Sequence, residues 1–185
     1  TFERRVSKHI NLINKIISKK QMRILDFGSG NGVGSYLLNQ EYAGELIAHD
    51  KSIFSELVSK SLQIDFTKEL SKNYKDFDII YSSHSIEHVP DIIEQCEYFN
   101  HALAPDGYIF FEFPNIANFE IFNIHNHIPH TYMLNIESIK KIASFCSFEV
   151  VYYESYGEKW KEIYNFENFE AGEEFTDLNV ILKKI

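Results

Sequence analysis

The chain has 185 residues, of which 44% are hydrophobic and 24% charged, and its net charge is −9. A chain of this length can bury about 70% of its unfolded surface without help from a disulfide or metal. The acidic balance argues against nucleic acid as the main partner, because phosphate binding needs a basic surface. No apolar run reaches the 18 residues of a membrane span. We therefore expect one globular domain over residues 1–185.

The predicted elements begin with an amphipathic helix over residues 3–19, inside an N-terminal segment 1–20, because apolar side chains recur there with helical period. Strands and helices then alternate. The predicted strands are 23–27, 44–50, 61–66, 77–83, 108–113, 149–155 and 178–185. The predicted helices are 33–41, 91–104 and 135–146. This alternation predicts a doubly wound parallel sheet with helices on both faces. No helical pattern separates the last two strands, so we expect the final strand to run antiparallel at the sheet edge.

The two cysteines, Cys96 and Cys146, lie among apolar residues at helical spacing. Both are expected to be small core residues of a protein in a reducing compartment, the cytoplasm. The sequence begins without methionine, so a further segment before Thr1 is an open expectation.

The segment ILDFGSGNGVG (24–34) places glycines at every second position behind an acid that ends an apolar strand. A nicotinamide or flavin motif, G-x-G-x-x-G, would need its third glycine at Val33 or Ser35, so hydride transfer is not expected. No G-K-[ST] occurs, which excludes a phosphate-loop NTPase. The pattern D-x-G-x-G-x-G resembles the first motif of the class I S-adenosylmethionine-dependent methyltransferases.

This resemblance extends along the chain and implies a Rossmann-like fold of seven strands. It implies that Asp26 lies under the amino-acid end of S-adenosylmethionine and that Asp50, after the second strand, holds the ribose. Asp65 and Phe66, at the third strand, would hold the adenine. The cofactor residues implied in full are Asp26, Gly28, Ser29, Gly30, Gly32, Asp50, Lys51, Asp65, Phe66, Ser82 and Ser83.

Histidines follow the fourth and fifth strands, on the predicted ligand side of the sheet. A neutral hydroxyl acceptor needs a base near pH 7, and histidine is the usual one. The candidates for that base are His88, His127 and His84. The alternative for His88 is a structural role, in which hydrogen bonds of its ring fix the loop. Three other histidines fit surface or helix positions and need no role: His9, His49 and His101.

A metal site is a further alternative for the segment His84-Ser-Ile-Glu87-His88. It is similar to the E-x-x-E-H of the ubiquinone-pathway and small-RNA 2′-O-methyltransferases, which use a divalent ion. Here histidine replaces the first glutamate, so His84, Glu87 and His88, with a histidine from 125–130, would favour a transition metal over magnesium.

The segment 114–134 is rich in aromatic residues, asparagine and histidine. The resemblance implies that it faces the acceptor, through Asn115, His125, His130 and Tyr132. The alternative is a packed segment that only covers the site.

The expected function is transfer of a methyl group to an oxygen or nitrogen atom of a small molecule or a surface-sugar precursor. Two alternatives stay open, a metal-assisted O-methyltransferase and a cofactor-binding module without turnover. The oligomeric state is not predicted.

Overall fold

The computed structural model describes residues 1–116, 121, 130–159 and 175–185. These residues form one seven-stranded sheet of order β3-β2-β1-β4-β5-β7-β6. The strands are β1 (Ile24–Phe27), β2 (Leu46–His49), β3 (Asp65–Thr67), β4 (Phe77–Ser83), β5 (Leu103–Pro114), β6 (Phe148–Lys159) and β7 (Phe175–Lys184). The pairs from β3 to β5 are parallel, whereas β7 is antiparallel to both of its neighbours. The predicted fold class is confirmed.

Helices cover both faces of the sheet. They are α1 (Phe2–Ile16), α2 (Val33–Glu41), α3 (Ile53–Ser61), α4 (Ile92–Ala102) and α5 (Ile136–Phe145), with a 3-10 turn at Ile86–His88. One core packs the sheet against α4 and α5, and the other packs it against α1 and α2. Neighbouring residues of β4 enter opposite cores, Ile79 on one face and Ile80 on the other. The central strands are therefore buried on both sides, as parallel strands usually are.

Two sequence expectations about strand positions are wrong. The final strand, β7, is antiparallel, but it lies between β5 and β6 and leaves β6 at the edge. The third strand begins at Asp65, not at residue 61, because α3 continues to Ser61. Gln63 then adopts a left-handed conformation with φ of 56°, which makes a tight turn from helix into strand.

Helix α3 was not predicted, because its buried side chains are polar and its exposed side chains are apolar. Its buried positions are Ser55 and Ser59, whereas Ile53, Phe54 and Leu57 are more than half exposed. The sequence therefore has no apolar stripe that would mark the buried face of this helix.

The two cysteines are confirmed as buried free thiols, in α4 and directly after α5. No helix among the described residues combines the length and the apolar character that crossing a bilayer requires.

Candidate cofactor and acceptor site

A cavity of about 980 Å³ opens at the carboxyl edge of the parallel strands. Its walls are the first turns of α1 and α4, the glycine turn after β1 and the ends of β2 and β4, together with the segment that follows β3. Ligands of doubly wound sheets bind at this edge, where neighbouring crossovers leave on opposite faces. This cavity is therefore the candidate site.

The glycines of the turn differ in what surrounds the position that a Cβ atom would occupy. A Cβ on Gly28 would lie 1.9 Å from Ser85 Oγ, and one on Gly32 would lie 2.6 Å from Val58 of α3. Both positions are thus required by contacts within the protein. A Cβ on Gly30 would meet nothing closer than 3.9 Å, so this residue leaves open space beside the cavity.

Asp50 fixes the glycine turn. Its Oδ2 accepts a hydrogen bond from the Gly30 amide at 2.9 Å, and its Oδ1 accepts one from the Ser52 amide at 2.8 Å. Each carboxylate oxygen keeps a further lone pair. Because Asp50 lines the cavity, these lone pairs can accept hydrogen bonds from ligand hydroxyls. Lys51 and Ser29 line the same wall, and the buried Ser29 Oγ has no hydrogen bond among the described residues.

Asp26 lies at the floor of the cavity and is only 2% exposed. Burial raises the pKa of its carboxyl to about 7; the hydrogen bond donated by Ser35 opposes this rise, and the charge of Asp50 adds to it. Near neutral pH the group therefore exists in both protonation states.

The structure places the predicted adenine residues away from the cavity. Asp65 begins β3 and Phe66 packs against the core on the α1 side, so neither lines the wall. Glu69 and Leu70, which follow the strand, line it instead. The error has the same origin as the misplaced strand, since a strand placed too early in the sequence also places its carboxyl end too early.

The last two side chains of β4 point to opposite faces of the sheet. Ser83 lines the cavity and donates a hydrogen bond to Glu112, whereas Ser82 is fully buried and does not line it. The alternation of side chains along a strand turns Ser82 to the other face.

His84 lines the cavity from a backbone with φ of 50°, a conformation that is uncommon for residues other than glycine. Its Nδ1 lies 3.5 Å from Glu87 Oε1, and its Nε2 lies 3.5 Å from Asp177 Oδ1 and 3.8 Å from Glu112 Oε2. Burial acts to lower the pKa of His84, but these three carboxylates outweigh burial and raise it. The imidazole is thus held on both sides by acids.

Sequence reasoning missed the residues behind His84. Glu112 is fully buried in β5, and His9 Nε2 and Arg5 Nε of α1 lie 3.2 Å and 3.5 Å from it. Burial acts to raise the pKa of Glu112, but His9, His84 and Ser83 lower it below the usual range. The only signal in the sequence was an acid inside the apolar strand YIFFEF.

Of the three histidines expected at surface or helix positions, His9 lies in α1 and His101 in α4, whereas His49 lies in β2. His9 is fully buried, and its Nδ1 lies 2.8 Å from the Tyr81 hydroxyl. His49 is 5% exposed and lines the cavity, with its ring stacked on Phe27. His101 is exposed on α4.

The three predicted acceptor residues that the structure describes, Asn115, His130 and Tyr132, do not line the cavity. The Asn115 side chain is 98% buried and donates to the Phe175 carbonyl, and the Tyr132 hydroxyl binds backbone groups at the start of α4. Both therefore act as structural ties. His130 lies beside His88, with ring centroids 4.9 Å apart. His125 and His127 lie outside the described residues.

Within the described ranges of the chain, one group of side chains could hold a metal ion. Ligand atoms of Glu87, His88 and His130 lie within 4.8 Å of one another. Both carboxylate oxygens of the buried Glu87 lack a hydrogen bond among the described residues. The group lacks His84 but includes Glu87, His88 and one of the histidines expected from 125–130, so the predicted set of ligands is only partly reproduced.

The cavity fits a nucleoside cofactor carrying an amino acid. It offers open space at Gly30, lone pairs on Asp50 for hydroxyls, and polar atoms on Ser29 and Gln95 that have no hydrogen bond within the described part of the chain. Buried polar atoms without partners are costly, and a polar ligand would satisfy them.

The chain matches a family model described as a methyltransferase domain over residues 2–167. Among solved structures, a SAM-dependent methyltransferase from Archaeoglobus fulgidus superposes with a TM-score of 0.77 at 19% identity, covering 99% of this chain and 93% of its own. An S-adenosylmethionine-dependent methyltransferase from Mesorhizobium loti has a TM-score of 0.69 at 14% identity, covering 94% and 96%. The [4+2]-cyclase SpnF has a TM-score of 0.71 at 12% identity, covering 98% and 80%.

These structural likenesses show a shared fold, since the identities are low. No curated protein matches the chain. The family match covers most of the sequence and agrees with the glycine turn, the strand order and the acids that line the cavity. The chain therefore belongs to the methyltransferase-domain family, as a class I S-adenosylmethionine-dependent methyltransferase.

Proposed function

We propose that the protein transfers the methyl group of S-adenosylmethionine to a hydroxyl oxygen of a small molecule or a surface-sugar precursor. The observation that carries this proposal is His84, an imidazole that lines the cavity and is held between Glu87 on one side and Glu112 and Asp177 on the other. A nitrogen acceptor that is already nucleophilic would have no need of such a base.

The cofactor, when bound, supplies a methyl group activated by its sulfonium. The protein must then align the acceptor and exclude water. A hydroxyl also needs a base, and the ring of His84, which lines the cavity, suits that role. With the cofactor supplying the methyl group and keeping the electron pair of its carbon–sulfur bond, His84 would accept the proton of the acceptor hydroxyl. His88 and His127 stay alternative candidates for this base.

The size of the cavity supports a small acceptor. Its volume of about 980 Å³ lies at the upper end of the range for small-molecule sites, and cofactor and acceptor must share it. The net charge of −9 supports acceptors other than nucleic acid.

The test is a methyl-transfer assay with hydroxyl and amine acceptors of matched size. Wild type should methylate hydroxyl acceptors, and His84→Gln should lose at least about a hundredfold in kcat, the range for removal of a general base. His101→Gln, an exposed histidine on α4, is the matched control and should behave as wild type. Methylation of amines alone, or full activity of His84→Gln, would contradict the proposal.

A second candidate is a metal-assisted O-methyltransferase, which the cluster of Glu87, His88 and His130 favours. Two imidazoles and one carboxylate suit a transition metal better than magnesium. Zinc or manganese titrated into chelated protein should bind with one-to-one stoichiometry and restore activity, and His130→Ala should abolish both effects. Unchanged activity after complete chelation would exclude this route.

A further inference from the structure

His9 is a buried histidine of α1 that contacts Glu112, one of the acids beside His84. Its ring packs against those of Phe110 and Tyr81, with centroids 4.8 Å and 5.9 Å away. Both ring nitrogens meet polar groups, since Nδ1 lies 2.8 Å from the Tyr81 hydroxyl and Nε2 lies 3.2 Å from Glu112 Oε1. His9 therefore connects a tyrosine of β4 to the acid of β5.

The Tyr81 hydroxyl determines which nitrogen of His9 carries a proton toward Glu112. Burial raises the pKa of Tyr81 well above its usual value, so the hydroxyl keeps its proton. Donation of this hydrogen bond to Nδ1 leaves the ring proton of a neutral His9 on Nε2. The opposite tautomer would point a nitrogen lone pair at a carboxylate. His9 thus presents an N–H group to Glu112.

The two oxygens of Glu112 face different histidines. Oε1 faces His9, and because the two atoms are not aligned for a full hydrogen bond, their attraction is chiefly electrostatic. Oε2 accepts a hydrogen bond from Ser83 and lies 3.5 Å from Arg5 Nε and 3.8 Å from His84 Nε2. Burial acts to raise the pKa of Glu112, but His9, His84 and Ser83 lower it. The carboxylate is therefore charged near neutral pH and held from both α1 and β4.

This buried group of ionisable side chains lies next to the cavity. Neither His9 nor Glu112 lines it, but Arg5, Tyr81 and Ser83, which contact them, do. Burying charged groups is costly, and apolar side chains of similar volume often give equal or greater stability. Because stability alone does not favour such a group, its position beside a ligand cavity favours a functional role.

We propose that His9 is a positioning residue for methyl transfer, which fixes the Glu112 carboxylate so that this carboxylate orients the ring of His84 toward the acceptor hydroxyl. This inference rests on the proposed function, in which His84 is the base. A base must lie within hydrogen-bond reach of the proton that it removes, and a small displacement of a reacting group lowers the rate strongly. Helix α1 then contributes to the rate through a residue that does not touch the substrate.

The first test separates kcat from binding, with a small hydroxyl acceptor that wild type methylates. His9→Phe keeps a ring among its aromatic neighbours but removes both nitrogens, so kcat should fall at least about tenfold. Acceptor KM and the calorimetric affinity for S-adenosylhomocysteine should both stay within about twofold of wild type, because neither ligand contacts His9. His9→Gln restores an N–H donor and should recover most of the lost kcat. Ile13→Val, a buried apolar residue of the same helix, is the control and should lower stability without lowering kcat.

The second test asks whether His9 acts through His84. In a His84→Gln background, His9→Phe should lower kcat by less than about twofold more, because coupled residues have non-additive effects. A merely structural role would give the same loss in both backgrounds and would overturn the inference. The ring of His84 also gives a readout without cofactor. Its ¹⁵N resonances, assigned by their absence in His84→Gln, should shift in His9→Phe and stay in place in Ile13→Val, and unshifted resonances in His9→Phe would also overturn it.

The outcomes separate this inference from the proposed function. If His84→Gln loses activity while folded His9→Phe keeps the wild-type kcat, the inference is overturned and the proposed function stands. If His9→Phe does not fold, Glu112→Gln decides, since it removes the charge at the same size and should show the same loss of kcat; wild-type kcat in that variant overturns the inference. If wild type methylates no hydroxyl, or His84→Gln is fully active, the proposed function and the inference are both overturned.

Discussion

Replacing Asp26 by asparagine should change how the stability of the protein depends on pH. The unfolded carboxyl titrates near 3.8 and the folded one near 7, because burial disfavours its charge. Between these values the native state keeps a proton that the unfolded state has lost, so the free energy of unfolding falls as pH rises. Across the whole pH range between the two pKa values, a shift of roughly three units lowers the free energy of unfolding by about 4 kcal/mol.

Urea denaturation of wild type and Asp26→Asn at pH 5 and pH 8 measures this effect. Asparagine can still accept the hydrogen bond from Ser35 but cannot ionise, so the variant should gain about 3 kcal/mol relative to wild type between the two pH values. Other groups titrate in both proteins and cancel in the difference. Asp106→Asn, an exposed carboxylate paired with Lys183, is the control and should show no such gain. A difference between wild type and Asp26→Asn that stays constant with pH would refute the reasoning.

Three further predictions concern the turn and its neighbours. Gly28→Ala should lower the free energy of unfolding more than Gly30→Ala, because only the first Cβ would collide with Ser85, at 1.9 Å; equal losses in urea would contradict this. Asp50→Ala should weaken S-adenosylhomocysteine binding at least tenfold by calorimetry, since it frees the Gly30 amide; binding within twofold of wild type would be the contrary result. Tyr132→Phe should lower the free energy of unfolding by about 1–2 kcal/mol and leave cofactor affinity unchanged, because the hydroxyl ties backbone groups at the start of α4. A loss of acceptor turnover without a loss of stability would instead indicate that the hydroxyl contacts the acceptor.

The sequence predicted the fold where local pattern and tertiary packing agree. β4 was predicted with its observed limits, Phe77–Ser83, because a run of apolar residues is what a strand buried on both faces requires. α3 was missed because serines pack inward and large apolar residues point outward, which reverses the usual signal. The position of β7 depends on pairing with a strand distant in the chain, and no local pattern carries that information.

For the site, sequence reasoning found the groups that belong to a known motif and missed those that depend on packing. Asp26, Gly30 and Asp50 were identified and line the cavity. His49 was expected at a surface or helix position and was given no role. Only the fold shows that its ring is buried and stacked on Phe27. Glu112 was missed for the same reason, since its partners come from α1, β4 and β7.

The place of β7 between β5 and β6 constrains the order in which the protein can fold. β6 comes earlier in the chain but pairs only with β7 among the described strands, so it cannot join the sheet until β7 has bound β5. That step joins residues as far apart as Tyr108 and Lys183, and such distant pairings form slowly. During synthesis β5 would present an unpaired edge until β7 emerges. A direct parallel pairing of β6 with that edge is the trap that folding has to avoid.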